Sequence, residues 1–325
     1  MPSSKVDPET LASSHERLIV GSLREAFASF TIPSNASLQD IQGLIYRNLP
    51  RFIAQVSGKL IDLRVKSAIL TANDGIKIPE NKIKKLLFSV DFNRVDDKSV
   101  RRAKDFQNRF IVEITQQAAQ VVQLAISNGI KNGYGPDKIA TGIRELLPLT
   151  TRQAQAVMNY RTALETANPK AIGWTIGSLT TERKLRDRRF DAKVKDSVQT
   201  GIPLSQETID KLVGQYSTRM ANHRALTVAR TETLRAVNAG QNEAYEQMDE
   251  KLREQGLQLK RFWVHAKDAR VRDEHRMIPK LNEEGVAIGE AFRYPDGRSI
   301  MLPGDPNAEA SMTINCRCTI AARVV

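Results

Sequence analysis

From Phe106 to Ala125, apolar residues recur at steps of three or four: Phe106, Phe110, Ile114, Ala118, Val121 and Ala125. That is the period of an α-helix, and it leaves Arg, Lys and Gln on the opposite side. The stripe predicts a long helix starting at Asp96-Asp97 and ending near Gly129, Gly133 and Gly135. Similar patterns fill the first 150 residues. Leu18, Ile19, Leu23, Ala26 and Phe27 mark one face between Glu16 and Phe30. Ser37 is placed to cap a second helix, in which Pro50 predicts a kink or a split. Pro136-Asp137 opens a short helix with Pro in its first turn. Thr150–Ala167 is another helix, with Arg152, Tyr160 and Arg161 read as its solvated or partner-facing side.

Further along, Gly201-Ile202-Pro203-Leu204-Ser205 marks a turn. A helix with Ile209, Leu212, Val213 and Tyr216 follows, then a long one from about Ala221 to Gln255, with Gly256 as its stop. The last 65 or so residues change character. Phe262-Trp263-Val264 is strand-like. Tyr294-Pro295-Asp296-Gly297, between Phe292 and Ile300, predicts a hairpin. Glu309–Met312 suits one helical turn, and Ile314–Val325 a final strand. The expected fold is α+β and mostly α: an extended helical N-terminal region, then a small α+β C-terminal domain with a short antiparallel sheet. The expected divisions are 1–148, a connection at 149–202, and 203–325.

Composition limits the function. The chain has 325 residues, with 49 Lys+Arg against 37 Asp+Glu, a formal net charge of +12. Such a charge attracts polyanions or acidic proteins. Part of the excess stands at Thr181–Lys195, where Arg183, Lys184, Arg186, Arg188, Arg189, Lys193 and Lys195 lie close together. They form either a solvated connection or a contact surface for double-stranded DNA or an acidic partner. Two cysteines are too few for a disulfide scaffold. The polar N-terminus lacks a signal-peptide pattern, and no apolar run approaches the ~20 residues that span a bilayer. Folding in a reducing cytoplasm, with no membrane partner, is expected.

Several motifs then occur in order: Arg230-Thr231-Glu232-Thr233, Asn238-Ala239-Gly240, Trp263, Asp268-Ala269-Arg270-Val271-Arg272, His275, Pro303-Gly304-Asp305-Pro306 and Asn315-Cys316-Arg317-Cys318. In this order and spacing the set resembles the Mu F-like head-morphogenesis family of tailed phages, over roughly residues 180–325. Arg186–Asp191 and Pro203-Leu204-Ser205 are similar to the region such proteins carry ahead of that domain. One departure is that Met277-Ile278-Pro279-Lys280 stands where family members place a glycine turn, so that loop is expected to take another path. The resemblance implies a low-copy minor head protein, in the head interior or at the portal vertex of the virion, after assembly in the host cytoplasm. It implies portal, scaffold or major capsid protein as partners, with contact to packaged DNA in some relatives, and a role that is not enzymatic.

The motif residues have physical readings of their own. Glu232 can reach Arg235 along one helix face, while Arg230 is free to tie the helix to the tail. Asp268 suits an N-cap, and Trp263 a core position. If Cys316 and Cys318 lie in a strand, their Cα atoms are ~7 Å apart on one face, beyond disulfide reach. They are then either small buried hydrophobes, or two thiolates of a zinc site completed by His275 and by His265 or Asp268. The alternative function is a metal-dependent hydrolase or nuclease using this Asp/His/Cys cluster. It requires Glu232, Asp268, His275 and the cysteines to meet in an open cleft, whereas a structural role for Arg230, Glu232, Trp263, Asp268, Arg272, His275, Asn315, Cys316 and Cys318 requires them buried with partners.

Overall fold

The computed structural model describes residues 7–33, 36–78, 87–168, 188–266 and 268–325. Helix α1 spans Pro8–Ser29 and begins earlier than the apolar pattern suggests. The Asp7 carboxylate accepts from the Thr10 backbone N–H at 3.0 Å and caps it. Helix α2 spans Leu38–Asp74, and Ser37 caps it by accepting from the Asp40 N–H at 3.2 Å.

A kink or a split was expected at Pro50; α2 is not split there. A proline inside a helix costs about 3 kcal/mol. Ile41, Ile45, Leu49 and Ile53 form one stripe on both sides of it, each with no exposed surface. At about 1.5–3 kcal/mol per buried side chain, the stripe outweighs the lost hydrogen bond.

Helix α3 spans Asp97–Lys131, capped by Asp96, and Gly133 follows it in the left-handed region at φ 69°. Helices α4 (Pro136–Leu146) and α5 (Thr151–Glu165) follow, the latter with a full capping box between Thr150 and Gln153. After a single 3₁₀ turn at Arg188–Phe190 come α6 (Asp191–Thr200) and α7 (Gln206–Arg253). The two helices expected between Ser205 and Gln255 are therefore one, of 48 residues. Nothing in Tyr216-Ser217-Thr218-Arg219-Met220 breaks a helix, and Ser217 and Met220 are buried. Gly256 ends it at φ 72°, with Leu257 N–H donating to Leu252 C=O at 3.0 Å and Gly256 N–H to Arg253 C=O at 3.0 Å.

The remainder holds the sheets. Strand β3 (Leu259–Val264) lies between β4 (Val286–Ala287) and β7 (Thr319–Val324), antiparallel to both. Register runs from Leu259 opposite Val324 to Val264 opposite Thr319. The hairpin of β5 (Phe292–Arg293) and β6 (Ser299–Ile300) closes through Gly297 N–H to Tyr294 C=O at 3.0 Å. Helix α8 spans Asp273–Leu281 and α9 is the single turn Ala310–Thr313. Helix α8 takes in Met277-Ile278-Pro279-Lys280, the stretch expected to follow another path, and the chain turns at Gly285, φ 70°. A further two-stranded pair, β1 (Ile76–Lys77) and β2 (Leu87–Phe88), follows α2. The expected fold class, mostly α with an α+β C-terminal region, is the one observed.

Residues group into two compact units. One comprises the described residues of 1–21, 56–108 and 227–325; the other comprises 22–55 and 109–226. In the first, Tyr245, Met248 and Leu252 of α7 pack with Leu259, Trp263, Ile278, Phe292, Ile300, Cys316, Cys318 and Ile320 in one core. Gly240 sets the approach of α2 to α7 there: a Cβ on it would stand 2.1 Å from the Arg64 carbonyl oxygen. In the second, the α3 stripe is buried at Phe110, Ile114, Ala118, Val121 and Ala125. Tyr160 is buried too, edge-on to Tyr216 at 5.2 Å, and so is not on the solvated side of α5 as expected. Arg161 keeps a polar role through Asp210 at 2.6 Å.

Candidate functional site

Helix α7 carries the first motif and holds the tail through it. Thr231 accepts at Oγ1 from the Asn315 backbone N–H at 3.0 Å. Asn315 sits at φ 55°, a conformation that asparagine tolerates better than most residues. Two turns on, the Asn238 side-chain amide donates to the Pro303 carbonyl at 3.1 Å and to the Cys318 carbonyl at 3.0 Å. Glu232 pairs with Arg235 at 2.8 Å, and Arg235 also donates to the Gly304 carbonyl at 2.7 Å. Gly304 (φ 81°) leaves room for that approach: a Cβ there would meet Arg235 Cα at 3.2 Å. So Arg235 ties the helix to the tail, whereas Arg230 pairs with Glu16 of α1 at 3.5 Å.

A second set of bonds fixes the loop after β3. Asp268 receives the Arg270 N–H at 2.9 Å and the Arg317 guanidinium at 2.5 Å. Hydrogen bonding from Arg317, the largest influence, holds the Asp268 carboxyl well below the usual carboxylate range. Arg272 donates to the Ile314 carbonyl at 2.6 Å. The Asp305 carboxylate, buried, accepts from Met301 N–H at 3.1 Å and Asn307 N–H at 2.8 Å. Arg261 of β3 has no exposed surface; it donates to the Asn242 side chain at 2.7 Å and to the carbonyls of Met301, Ala287 and Glu290.

Within this frame lies the thiol–imidazole cluster. Cys316 and Cys318 are not in a strand, as the alternation suggested. They precede β7, in a loop that starts at the end of α9 with Cys316 N–H bonded to Thr313 C=O at 3.1 Å. Both sulfurs nevertheless face one atom: His275 Nδ1 is 3.5 Å from Cys316 Sγ and 3.4 Å from Cys318 Sγ. The three donor atoms lie within 4.8 Å of one another, and all three residues are buried. The His275 ring is pinned edge-on by Trp263 at 5.4 Å and Tyr294 at 6.0 Å. A hydrogen bond from Cys318 pulls the Cys316 thiol well below its ordinary value, helped by His275 and opposed by burial. The same bond, with burial, pushes Cys318 up.

The geometry gathers His275, Cys316, Cys318 and Trp263, and sets Asp268, Arg272 and Asn315 in the adjoining loops. It does not bring His265 or Asp268 into the donor set: His265 Nδ1 lies 3.0 Å from the Ala266 carbonyl, and Asp268 is committed to Arg317. Arg230, Arg270 and Arg317 line a separate hollow of about 180 Å³ with Glu9 and Glu16. Of the basic segment, Arg183, Lys184 and Arg186 fall outside the described residues, as does the side chain of Arg188. Arg189, Lys193 and Lys195 are exposed, near the equally exposed Asp196. The sequence reading missed Arg317, Asn238 and Thr231 as ties, although each stood inside a motif that it quoted. Arg261 carried no signal, since a basic residue in a short strand reads as surface.

Residues 188–321 match the family model described as Phage Mu protein F like protein. No curated protein and no solved structure was found to match the chain. The matched stretch takes in Thr231, Asn238, His275, Cys316 and Cys318, whose side chains hold the tail on α7 and meet at the thiol–imidazole cluster. The chain is thus similar over residues 188–321 to the Mu F-like family of phage proteins.

Proposed function

We propose that the protein is a minor head protein that acts in phage head morphogenesis by binding other head components: portal, scaffold or major capsid protein. The family match over residues 188–321 carries this reading. The geometry of the motif residues supports a non-catalytic role. Glu232 is committed to Arg235, Asp268 to Arg317, and His275, Cys316 and Cys318 are buried at 1%, 5% and 2% exposure. A hydrolase or nuclease would hold these groups in a cleft that substrate can enter. No described helix is long and apolar enough to cross a membrane.

The N-terminal helices are the proposed docking region. The test is co-expression with the portal protein of the same phage, followed by nuclease treatment and a high-salt wash. A complex that survives both supports protein docking. A complex that dissolves with nuclease makes DNA the bridge and moves the function to the Thr181–Lys195 segment, where loss of binding should follow log salt steeply. No complex under either condition removes the portal as the partner.

A further inference from the structure

We propose that His275 Nδ1, Cys316 Sγ and Cys318 Sγ together bind one zinc ion, which staples the loop ahead of β7 to helix α8. Three donors from segments about forty residues apart converge on one point, with N···S distances of 3.5 and 3.4 Å. Zinc bonds of about 2.0–2.1 Å to nitrogen and about 2.3 Å to sulfur, at tetrahedral angles, place N and S about 3.6 Å apart. The observed spacing is that of the edge of such a tetrahedron. Hydrogen bonding alone accounts for it less well. Nδ1 offers one proton or one lone pair, so it can serve one sulfur fully, yet both stand at nearly the same distance. An ion at the centre satisfies all three.

The chemistry of the set agrees. Two thiolates and an imidazole are borderline-soft ligands that select zinc over magnesium or calcium. Sulfur ligands are held by N–H donors, and the Cys318 N–H donates to Cys316 Sγ at 3.4 Å. The His275 ring is fixed by Trp263 and Tyr294, so its Nδ1 is aimed before any ion arrives. Its Nε2 is buried and meets no acceptor among the described residues. A proton retained there leaves the Nδ1 lone pair for a metal.

One residue between the cysteines is fewer than usual for zinc ligands. Here the loop makes it workable. Asn315 at φ 55° turns the chain just before Cys316, and both sulfurs then reach the same nitrogen. Among the described residues three donors are present, so the fourth position falls to water or to a donor beyond them. Burial of all three suits an ion that holds structure. The stretch after α7 is short, three of its five strands are two residues long, and a staple at this point would stabilise it.

The site is independent of the head-assembly role and is tested on the full chain, made without a polyhistidine tag. The chain is incubated with zinc, dialysed and assayed for metal, and a second sample is loaded with cobalt(II). The expected result is about one zinc per chain, with thiolate-to-cobalt charge transfer in the near ultraviolet and the intense visible bands of tetrahedral cobalt. Cys318→Ser and His275→Gln should lose the metal, while Asp268→Asn, outside the donor set, should keep it. If those two variants fail to fold, the wild-type zinc content and the cobalt spectrum decide alone. The proposal is overturned by a folded wild type that retains no zinc and whose thiols react equally fast with and without added zinc. It is equally overturned by an intact mass two hydrogens light, which would mean that Cys316 and Cys318 form a disulfide.

Discussion

In the unit formed by residues 22–55 and 109–226, the interior is filled from helix faces: Ile41, Ile45, Leu49, Ile53, Val121, Ile143, Leu212 and Tyr216 are all nearly or fully buried. Polar groups there act mostly at helix ends, as Ser217 does on the Glu145 carbonyl at 2.7 Å and Arg224 on the Pro148 carbonyl at 2.6 Å. Residues 259–325 of the other unit are different. Their interior includes Arg261, His275, Asp305 and two cysteines beside the aromatics. Short strands and loops leave many backbone carbonyls and N–H groups to satisfy, and Arg261, Asn238, Arg235, Arg272 and Asp305 satisfy them. A helix meets its own backbone needs locally; a tail of loops needs side chains from elsewhere to do it.

The comparison can be broken most directly at Arg261. Arg261→Met should cost about 3–5 kcal/mol in denaturant unfolding, since it strips charge-assisted hydrogen bonds from the buried Asn242 side chain and from three carbonyls. A loss under about 1 kcal/mol would mean that the tail does not depend on buried polar ties. Next comes Gly240→Ala, expected to cost about 1–3 kcal/mol because the new methyl meets the Arg64 carbonyl. Its counterpart in the helical unit is Gly214, where a Cβ meets nothing within 4 Å. Gly214→Ala should therefore raise stability, by about 0.5–1 kcal/mol. The two alanines moving the midpoint in the same direction would refute the contrast between them.

Thr150→Ala removes the capping box of α5 and should cost about 1 kcal/mol, whatever happens in the tail. The smallest effect is at Tyr134. Burial, and then its hydrogen bond to Glu165, push the Tyr134 hydroxyl up to about 12. Its folded value exceeds the unfolded one of about 10, so its contribution is complete below pH 10 and disappears as the pH rises through 12. A phenolate absorbance titration of wild type minus Tyr134→Phe should show that midpoint; one near 10 would place the hydroxyl in water.

Much of the helical architecture was legible because helix formation follows a short-range period. The Ser37 and Asp96 caps, the α3 stripe and the Gly256 stop all depend on residues within a turn or so of each other. Where the reading departed from the structure, a longer-range term was larger. Packing around Ile41–Ile53 carried α2 through Pro50, and burial of Ser217 and Met220 joined two expected helices into α7. Tyr160 looked like a surface residue until Tyr216 of another helix covered it. The pairing of Glu232 with Arg235 was visible, being three residues apart on one helix; the pairing of Arg230 with Glu16 was not, being across 214 positions.

By itself, the sequence determined the helical periods, the turn at Tyr294–Gly297 and the ordered motifs of a Mu F-like region, because each is written in neighbouring residues or in a fixed spacing. Only the tertiary structure decided that Cys316 and Cys318 leave the strand and meet His275, that Asp268 turns to Arg317 instead, and that Arg261 lies wholly inside. The physical reason is that a contact between distant positions is selected by the free energy of packing the whole core and satisfying its polar groups, and no local pattern along the chain records that sum.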